Sequence, residues 1–261
     1  MREFYFISGL PRSGSTLLSA ILKQNQSFYA DIASPIYNLV NVSIDTITGG
    51  EYNFNIDEDQ RKNLIHGIFD GYYAHIKTPV IFDSSRLWTN KTTLLKTLFP
   101  NAKILCTVRD IVSILNSFEI LLNQNCFYTK QINEKVFSEN IFTRSEELFE
   151  REISSCYSSL LEGYHLNPEM ILLIEYKELC KNPERTMKKI YEFLEKPYYA
   201  HNFENLQYSN TNFDLSCNIK NLHTIRKKVN YNPPKIIFPS KLKKHYEDMN
   251  LEFWKNNKIK Y

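Results

Sequence analysis

The feature that most constrains this chain is the junction between an apolar run at residues 4–7 and the glycine-containing segment that follows it. The run Phe-Tyr-Phe-Ile, which ends at Ser8 and Gly9, predicts a buried strand that enters a turn. Apolar residues at helical spacing in residues 15–24 predict a helix directly after that turn. A strand, a tight turn and a helix in succession favour anion binding, because backbone N–H groups and the positive helix end meet at the turn.

The turn itself matches the spacing of a phosphate-binding loop. Gly9 and Gly14 lie five residues apart and are followed by hydroxyl residues, but Ser15 occupies the position of the usual lysine. In ATP and GTP hydrolases that lysine reaches the β- and γ-phosphates, so its absence disfavours such an enzyme. Arg12 can supply a cation instead. The residues expected to bind a phosphate or sulfate ester are Pro11, Arg12, Ser13, Gly14, Ser15 and Thr16.

The rest of the chain repeats the alternation of short apolar runs and helical stretches. Residues 80–82, 104–108 and 170–174 predict three further strands, whereas residues 25–37 predict a loop that leads into a helix. This alternation predicts an α/β fold in one domain, residues 1–261, with a central parallel sheet flanked by helices. In such a sheet ligands bind where the strands end.

Two polar residues follow the strand at residues 80–82. Asp83 and Arg86 lie three positions apart, so this strand end offers a proton acceptor and a cation. An alternative is that Asp83 only caps a helix over residues 89–98. Both interpretations remain open, and neither excludes the other.

Three segments resemble sulfotransferases that use 3′-phosphoadenosine-5′-phosphosulfate (PAPS), in the branch that carries Pro-Arg-Ser-Gly before two hydroxyl residues. The segments are GLPRSGSTLL, LFPNAKILCTVRDIVSILNSFE and IEYKELCKNPERTMKKIYEFLEKPY, and the resemblance as a whole covers roughly residues 4–22 and 80–194. The resemblance implies that the first loop binds the 5′-phosphosulfate and that Arg109 and Ser117 bind the 3′-phosphate. It also implies that Tyr176 contacts adenine, although a tyrosine of the core is the alternative. In the late basic segment Arg226, with Lys227 second, is expected to reach the 3′-phosphate.

The resemblance implies a phosphate-loop α/β architecture and a reaction. The reaction is transfer of a sulfuryl group from PAPS to a hydroxyl or amine of a small-molecule, peptide or glycan acceptor, with release of adenosine 3′,5′-bisphosphate (PAP). No metal is expected, because Arg12 and the helix end neutralise the phosphates. The residues expected to act in catalysis are Arg12, Asp83 and Arg86.

The chain departs from the family where the catalytic base is expected. The family places a His, or a Glu shortly after the first helix, and often a Lys after the strand that is residues 80–82 here. This sequence has Ala33 and Ser34 at the Glu position and Ser84 at the Lys position. Asp83 is therefore the first candidate for the base and Arg86 for the lysine. The reserve candidates for the base are Asp31 and His223.

Two other classes of function remain open from the sequence. A nucleotide or nucleoside kinase would use the same loop, but it would need Mg²⁺ and the lysine that is missing here. A non-catalytic protein that binds adenosine bisphosphate would keep Arg12, Arg109 and Ser117 and lack a base.

Composition narrows the class of protein. A net charge of +3 is too small to indicate nucleic-acid binding, and five cysteines without a CxxC pair indicate neither a disulfide framework nor zinc. No apolar run is long enough to span a membrane, and the first strand lies too near Met1 for a signal peptide, so we expect a cytoplasmic protein. The charged residues 144–152 predict a solvated helical layer, and residues 126–142 are a candidate lid over the acceptor.

Overall fold

The computed structural model of the protein describes residues 2–124, 131–132, 135–206 and 225–256. A five-stranded sheet forms its centre, with the strand order β2-β3-β1-β4-β7, and every neighbouring pair in it is parallel. A two-stranded antiparallel ribbon, β5-β6, lies apart from it. The strands are β1 (Glu3–Gly9), β2 (Phe28–Ala30), β3 (Val80–Ser84), β4 (Ile104–Val108), β5 (Gln131–Ile132), β6 (Lys135–Val136) and β7 (Ile171–Glu175).

The helices connect the strands and cover both faces of the sheet. They are α1 (Ser15–Leu22), α2 (Ile36–Thr48), α3 (Glu58–Tyr72), α4 (Thr92–Leu98), α5 (Ile111–Gln124), α6 (Ile141–Leu148), α7 (Ser155–Leu166), α8 (Tyr176–Lys181), α9 (Pro183–Phe193) and α10 (Ser240–Asn256). A π-helical turn, Phe149–Ser154, joins α6 directly to α7. None of the helices in the described ranges has the length and apolar character of a membrane span.

Strand β1 is buried on both faces, which explains its continuous apolar sequence. Its side chains alternate: Phe4 and Phe6 join a cluster with α2, α3 and α4, whereas Tyr5 and Ile7 join a cluster with α1, α8 and α9. The fold is therefore a three-layer α/β arrangement. This confirms the predicted fold class of a central parallel sheet flanked by helices.

The sheet register determines which segments meet. Strand β1 lies at the centre of the sheet, with β3 on one side and β4 on the other. Gly9 at the end of β1 is paired with Thr107 of β4, and Glu175 ends β7 beside Val108. The segments after β1, β3, β4 and β7 therefore gather at one edge, which is where ligands bind in open parallel sheets.

The structure differs from the sequence-based expectation in two segments. Residues 25–37 were predicted to be a loop, but they contain the edge strand β2, which pairs with β3. Residues 144–152 were predicted to be solvated, but Arg144 is buried and forms a salt bridge with buried Glu119 at 2.6 Å between Nε and Oε1. Part of the charge of this segment is thus buried and paired inside the fold. A buried charge is tolerated when an opposite charge and hydrogen bonds satisfy it.

Candidate active site

The loop after β1 has the backbone geometry of a tight, glycine-dependent turn. Gly9 has a φ of 121°, and a Cβ added there would lie 2.1 Å from the carbonyl oxygen of Thr107. Gly14 has a φ of 97° and precedes the first residue of α1. Arg12 also has a positive φ, 57°, which is uncommon for a residue with a side chain. Backbone strain of this kind clusters at functional sites.

The loop delivers an uncapped helix end. Gly14 is the N-cap of α1 and makes no side-chain cap hydrogen bond, and the first turn contains no acidic residue. The first N–H groups of a helix have no partner within the helix, and the helix dipole favours an anion there. Ser15 and Thr16 lie at this end and line a cavity. This arrangement suits a phosphate or sulfate group.

Two of the predicted loop residues, Pro11 and Ser13, are buried. The hydroxyl of Ser13 donates to the carbonyl oxygen of Leu10 and lies 2.7 Å from Oγ1 of Thr107. Ser13 is fully buried, and neither Ser13 nor Pro11 lines the cavity. The side chain of Ser13 therefore holds the loop against β4. The prediction that Pro11 and Ser13 bind the ligand gains no support from the geometry.

Residues from the first loop and from the segment after β4 meet directly. Nε of Arg12 donates to Oγ of Ser117 on α5 at 3.1 Å, and a guanidinium nitrogen of Arg109 donates to the carbonyl oxygen of Arg12 at 3.0 Å. All three residues line the cavity. The structure thus brings together the two segments that were predicted to bind different phosphates.

Tyr176, the first residue of α8, completes this side of the cavity. The guanidinium of Arg109 lies over its ring, 4.7 Å from the ring centroid. A Cβ on Gly14 would lie 2.7 Å from the same ring, so the absence of a side chain at Gly14 admits the tyrosine. Burial raises the pKa of Tyr176, while the nearby charges of Arg109 and Arg226 act in the opposite direction. Arg226 also lines the cavity, and its role at the 3′-phosphate stays a prediction.

The cavity at this edge has a volume of about 1010 Å³, at the upper end of the range for small-molecule sites. Among the described residues that line it, Glu152 is the single carboxylate, and there is no histidine. A cavity with this excess of positive charge attracts a polyanion. The cationic side chains that line it are Arg12, Arg86, Arg109, Arg151, Arg226, Lys228 and Lys235.

The structure contradicts Asp83 as the general base. Strand β3 extends two residues beyond the predicted apolar run, so Asp83 pairs with Phe6 within the sheet and does not line the cavity. Its side chain is 0% exposed. Ser34 and Tyr73 donate to Oδ2 at 2.5 and 2.6 Å, and Nε1 of Trp88 donates to Oδ1 at 2.6 Å.

Burial is the largest influence on the Asp83 carboxyl and raises its pKa, although the three hydrogen bonds oppose this. A carboxyl that is sealed from the cavity and already bonded to three donors cannot reach an acceptor proton. The alternative of a helix cap is also not what the structure shows, because Trp88 donates through its indole and not through its backbone. Asp83 instead ties β3 to the segment before α2, to the C-cap residue of α3 and to the turn that follows β3.

The reserve candidates fare differently. Asp31 does not line the cavity, and one of its carboxylate oxygens accepts from the backbone N–H of Ile32 at 2.8 Å. His223 lies outside the described residues. Lys227 is exposed and does not line the cavity, whereas its neighbour Lys228 does.

Arg86 lines the cavity after the end of β3, beside a partner that the sequence did not indicate. Its guanidinium NH1 is 3.5 Å from Oε2 of Glu152, which belongs to the π-helical turn. Glu152 was read as part of a solvated charged stretch. The sequence does not indicate that Glu152 faces a cavity, because Glu152 follows no predicted strand and its segment also contains exposed charged residues.

The described residues contain no group of three or more His, Cys, Asp or Glu side chains arranged to hold a metal ion. The cationic and hydroxyl side chains that line the cavity would fit PAPS. Arg12, Ser15 and Thr16 at the end of α1 can hold its phosphosulfate, and Arg109 and Ser117 can hold a second phosphate.

Comparison with known proteins connects this geometry to a family. Residues 5–200 match the model of a family described as "Sulfotransferase family". Among curated proteins, protein-tyrosine sulfotransferase A of Caenorhabditis elegans is 24% identical over 207 residues, which cover 75% of this chain. The match spans half of the length of that relative.

Solved structures show a similar fold. The sulfotransferase domain from the curacin biosynthetic pathway has a TM-score of 0.61 at 17% identity and covers 96% of this chain and 98% of its own. Retinol dehydratase in a complex with retinol and PAP has a TM-score of 0.53 at 14% identity, covering 100% of this chain and 84% of its own. At these identities the likeness is one of fold.

Proposed function

The chain belongs to the sulfotransferase family, and on that premise we propose that it transfers a sulfuryl group from PAPS to a hydroxyl or amine acceptor and releases PAP. The observation that carries the proposal is the hydrogen bond between Arg12 and Ser117. It joins the loop expected to bind the 5′-phosphosulfate to the segment expected to bind the 3′-phosphate, in one cavity lined by an excess of cations.

In this proposal different residues of the chain bind different parts of PAPS. Arg12 and the N-terminal turn of α1 bind the 5′-phosphosulfate and stabilise the charge that develops on the departing phosphate. Arg109 and Ser117 bind the 3′-phosphate, and a planar guanidinium is suited to two phosphate oxygens at once. Tyr176, held beneath Arg109, is the expected contact of the adenine.

The remainder of the cavity is available to the acceptor. Ser34, Tyr37 and Leu87 line it on the side of β3, beside Arg86. A solved relative of the fold is described with retinol, and a curated relative is named as a protein-tyrosine sulfotransferase, so alcohols and tyrosine peptides are the first acceptors to test.

A binding experiment tests the donor site. PAP without metal is expected to raise the melting temperature, because a ligand that binds only the native state stabilises it by mass action. ATP with Mg²⁺ is the comparison. A protein that responds to ATP with Mg²⁺ and is indifferent to PAP is not a PAPS-dependent sulfotransferase.

A transfer experiment tests the reaction. Radiolabelled PAPS is incubated with a panel that contains a tyrosine peptide, retinol, 4-methylphenol, 4-nitrophenol and a primary amine. Label in any acceptor supports the proposal. Tight PAP binding with no transfer to the panel and no release of PAP from PAPS indicates a bisphosphate-binding protein instead.

A further inference from the structure

The cavity contains a carboxylate that no expected role explains. Glu152 lines the cavity, and its side chain is only 4% exposed. Its neighbours Glu150 and Arg151 in the same turn are exposed. Burial of a charged group is costly unless the group is paired, so the inward direction of Glu152 needs a compensating partner.

Arg86 is that partner, and it connects Glu152 to the phosphate-binding loop. The carbonyl oxygen of Arg86 accepts from the hydroxyl of Ser8 at 2.8 Å and from the N–H of Gly9 at 3.5 Å. Its guanidinium lies 3.5 Å from Oε2 of Glu152. The carboxylate is therefore separated from the start of the loop by a single residue, whose main chain is bonded to the end of β1.

The backbone around Glu152 is held against the same edge. The hydroxyl of Ser159 on α7 donates to the carbonyl oxygen of Leu87 at 3.3 Å and lies 2.8 Å from Oγ1 of Thr89. Gly163 approaches Thr89 so closely that an added Cβ would lie 2.1 Å from its carbonyl oxygen. Helix α7 is thus docked on the segment after β3, and the π-helical turn that precedes α7 is positioned with it. Single π-helical turns are frequent at functional sites.

We propose that Glu152 is the general base of the reaction, and this inference rests on the proposed function. The carboxylate accepts the proton of the acceptor hydroxyl as the acceptor oxygen forms a bond to sulfur. The bond from sulfur to the bridging oxygen of the 5′-phosphate breaks, and its electron pair leaves with PAP. Arg86 offsets the repulsion between the carboxylate and the anionic donor, which explains why an acid is tolerated in a cationic cavity.

The main test is Glu152→Gln, with Glu150→Gln as the matched control on the same turn. Glu152→Gln is expected to lower turnover of an unionised acceptor such as 4-methylphenol by roughly 10²–10⁴-fold, the range for one positioned proton acceptor. With 4-nitrophenol at a pH where it is already ionised, the loss should be under about tenfold, because no proton has to be removed. If the protein prefers another member of the panel to the phenols, the pH–rate profile is measured with that acceptor instead. Glu152→Gln is then expected to lose the acidic limb of the profile.

Binding and folding are measured on the same variants. Glu152→Gln should retain PAP binding, whereas Glu150→Gln should match the unaltered protein in every assay. If Glu152→Gln does not fold, Glu152→Asp keeps the charge beside Arg86 but withdraws the carboxylate, and it should lose turnover while keeping the acidic limb.

The outcomes separate this inference from the proposed function. Near-normal turnover of a folded Glu152→Gln variant, or equal losses with both phenols, overturns the assignment of Glu152 and leaves the sulfotransferase activity standing. An unaltered protein that neither binds PAP nor transfers label overturns the proposed function and this assignment together.

Discussion

Arg12 donates from Nε to Oγ of Ser117 at 3.1 Å, across 105 positions of sequence. Arg12 lies in the loop that follows β1 and Ser117 on the helix that follows β4, and these two strands are neighbours in the sheet. Parallel neighbours deliver their following residues to the same edge, so the contact is a direct consequence of the strand order. A ligand with two phosphates can therefore be held by both segments at once.

Arg109→Ala is expected to weaken PAP binding by about 2 kcal/mol, because a charge-assisted contact to the 3′-phosphate is lost. Calorimetry with PAP and with adenosine 5′-phosphosulfate, which has no 3′-phosphate, measures the effect. The second ligand should bind the variant and the unaltered protein alike. Arg185→Ala, at an exposed position away from the cavity, is the control. Equal losses for both ligands would remove Arg109 from this role.

Asp83→Asn is expected to leave turnover nearly unchanged, since the carboxyl does not reach the cavity. An asparagine can accept from the Trp88 indole and donate to the hydroxyls of Ser34 and Tyr73. Asp83→Ala removes these partners from buried donors, and each unsatisfied group costs about 1–3 kcal/mol. Urea denaturation and turnover on both variants provide the test. A large loss of turnover in a stable Asp83→Asn variant would return Asp83 to the catalytic machinery.

The raised pKa of Asp83 predicts a pH dependence of stability. Burial favours the protonated carboxyl in the folded protein, so the native state binds more protons than the unfolded state above the ordinary pKa of 3.8. The contribution of Asp83 to stability is therefore fully present below pH 3.8 and decreases as the pH rises through the raised pKa. Asp83→Asn cannot titrate, so the stability of the unaltered protein relative to this variant should fall with pH over that window. A constant difference between the two unfolding free energies would contradict the sign.

Gly14→Ala is expected to damage the loop in two ways. The φ of 97° is unfavourable for alanine, and the new Cβ would lie 2.7 Å from the ring of Tyr176. We expect a loss of stability of about 1–3 kcal/mol and weaker PAP binding. Gly67→Ala on α3 is the control, because nothing lies within 4 Å of its added Cβ and alanine favours a helix. Thermal unfolding with and without PAP distinguishes the two variants, and equal behaviour would show that Gly14 is not needed at this turn.

Some features of the protein were determined by the sequence alone. Continuous apolar runs predicted four strands of the sheet, and β4 has the predicted bounds of residues 104–108. The loop after β1 was recognised from its glycine spacing, because a backbone with positive φ requires particular residues at particular positions. The family resemblance singled out Arg109, Ser117, Tyr176 and Arg226, and all four line one cavity, while their roles in binding stay predictions. The extent of the domain over residues 1–261 and the cytoplasmic location stay predictions.

Other features were decided only by the tertiary structure. Strand β2 has three residues in a polar stretch, and its conformation depends on pairing with β3, which no local pattern records. Asp83 was expected at the ligand site and lies in the core, whereas Glu152 was expected in solvent and lines the cavity, and long-range packing explains both differences. Asp83 faces the core because β3 continues to Ser84, and Glu152 faces the cavity because α7 docks on the segment after β3. The direction of a charged side chain is determined by long-range packing, and a single sequence specifies that packing only through the complete fold.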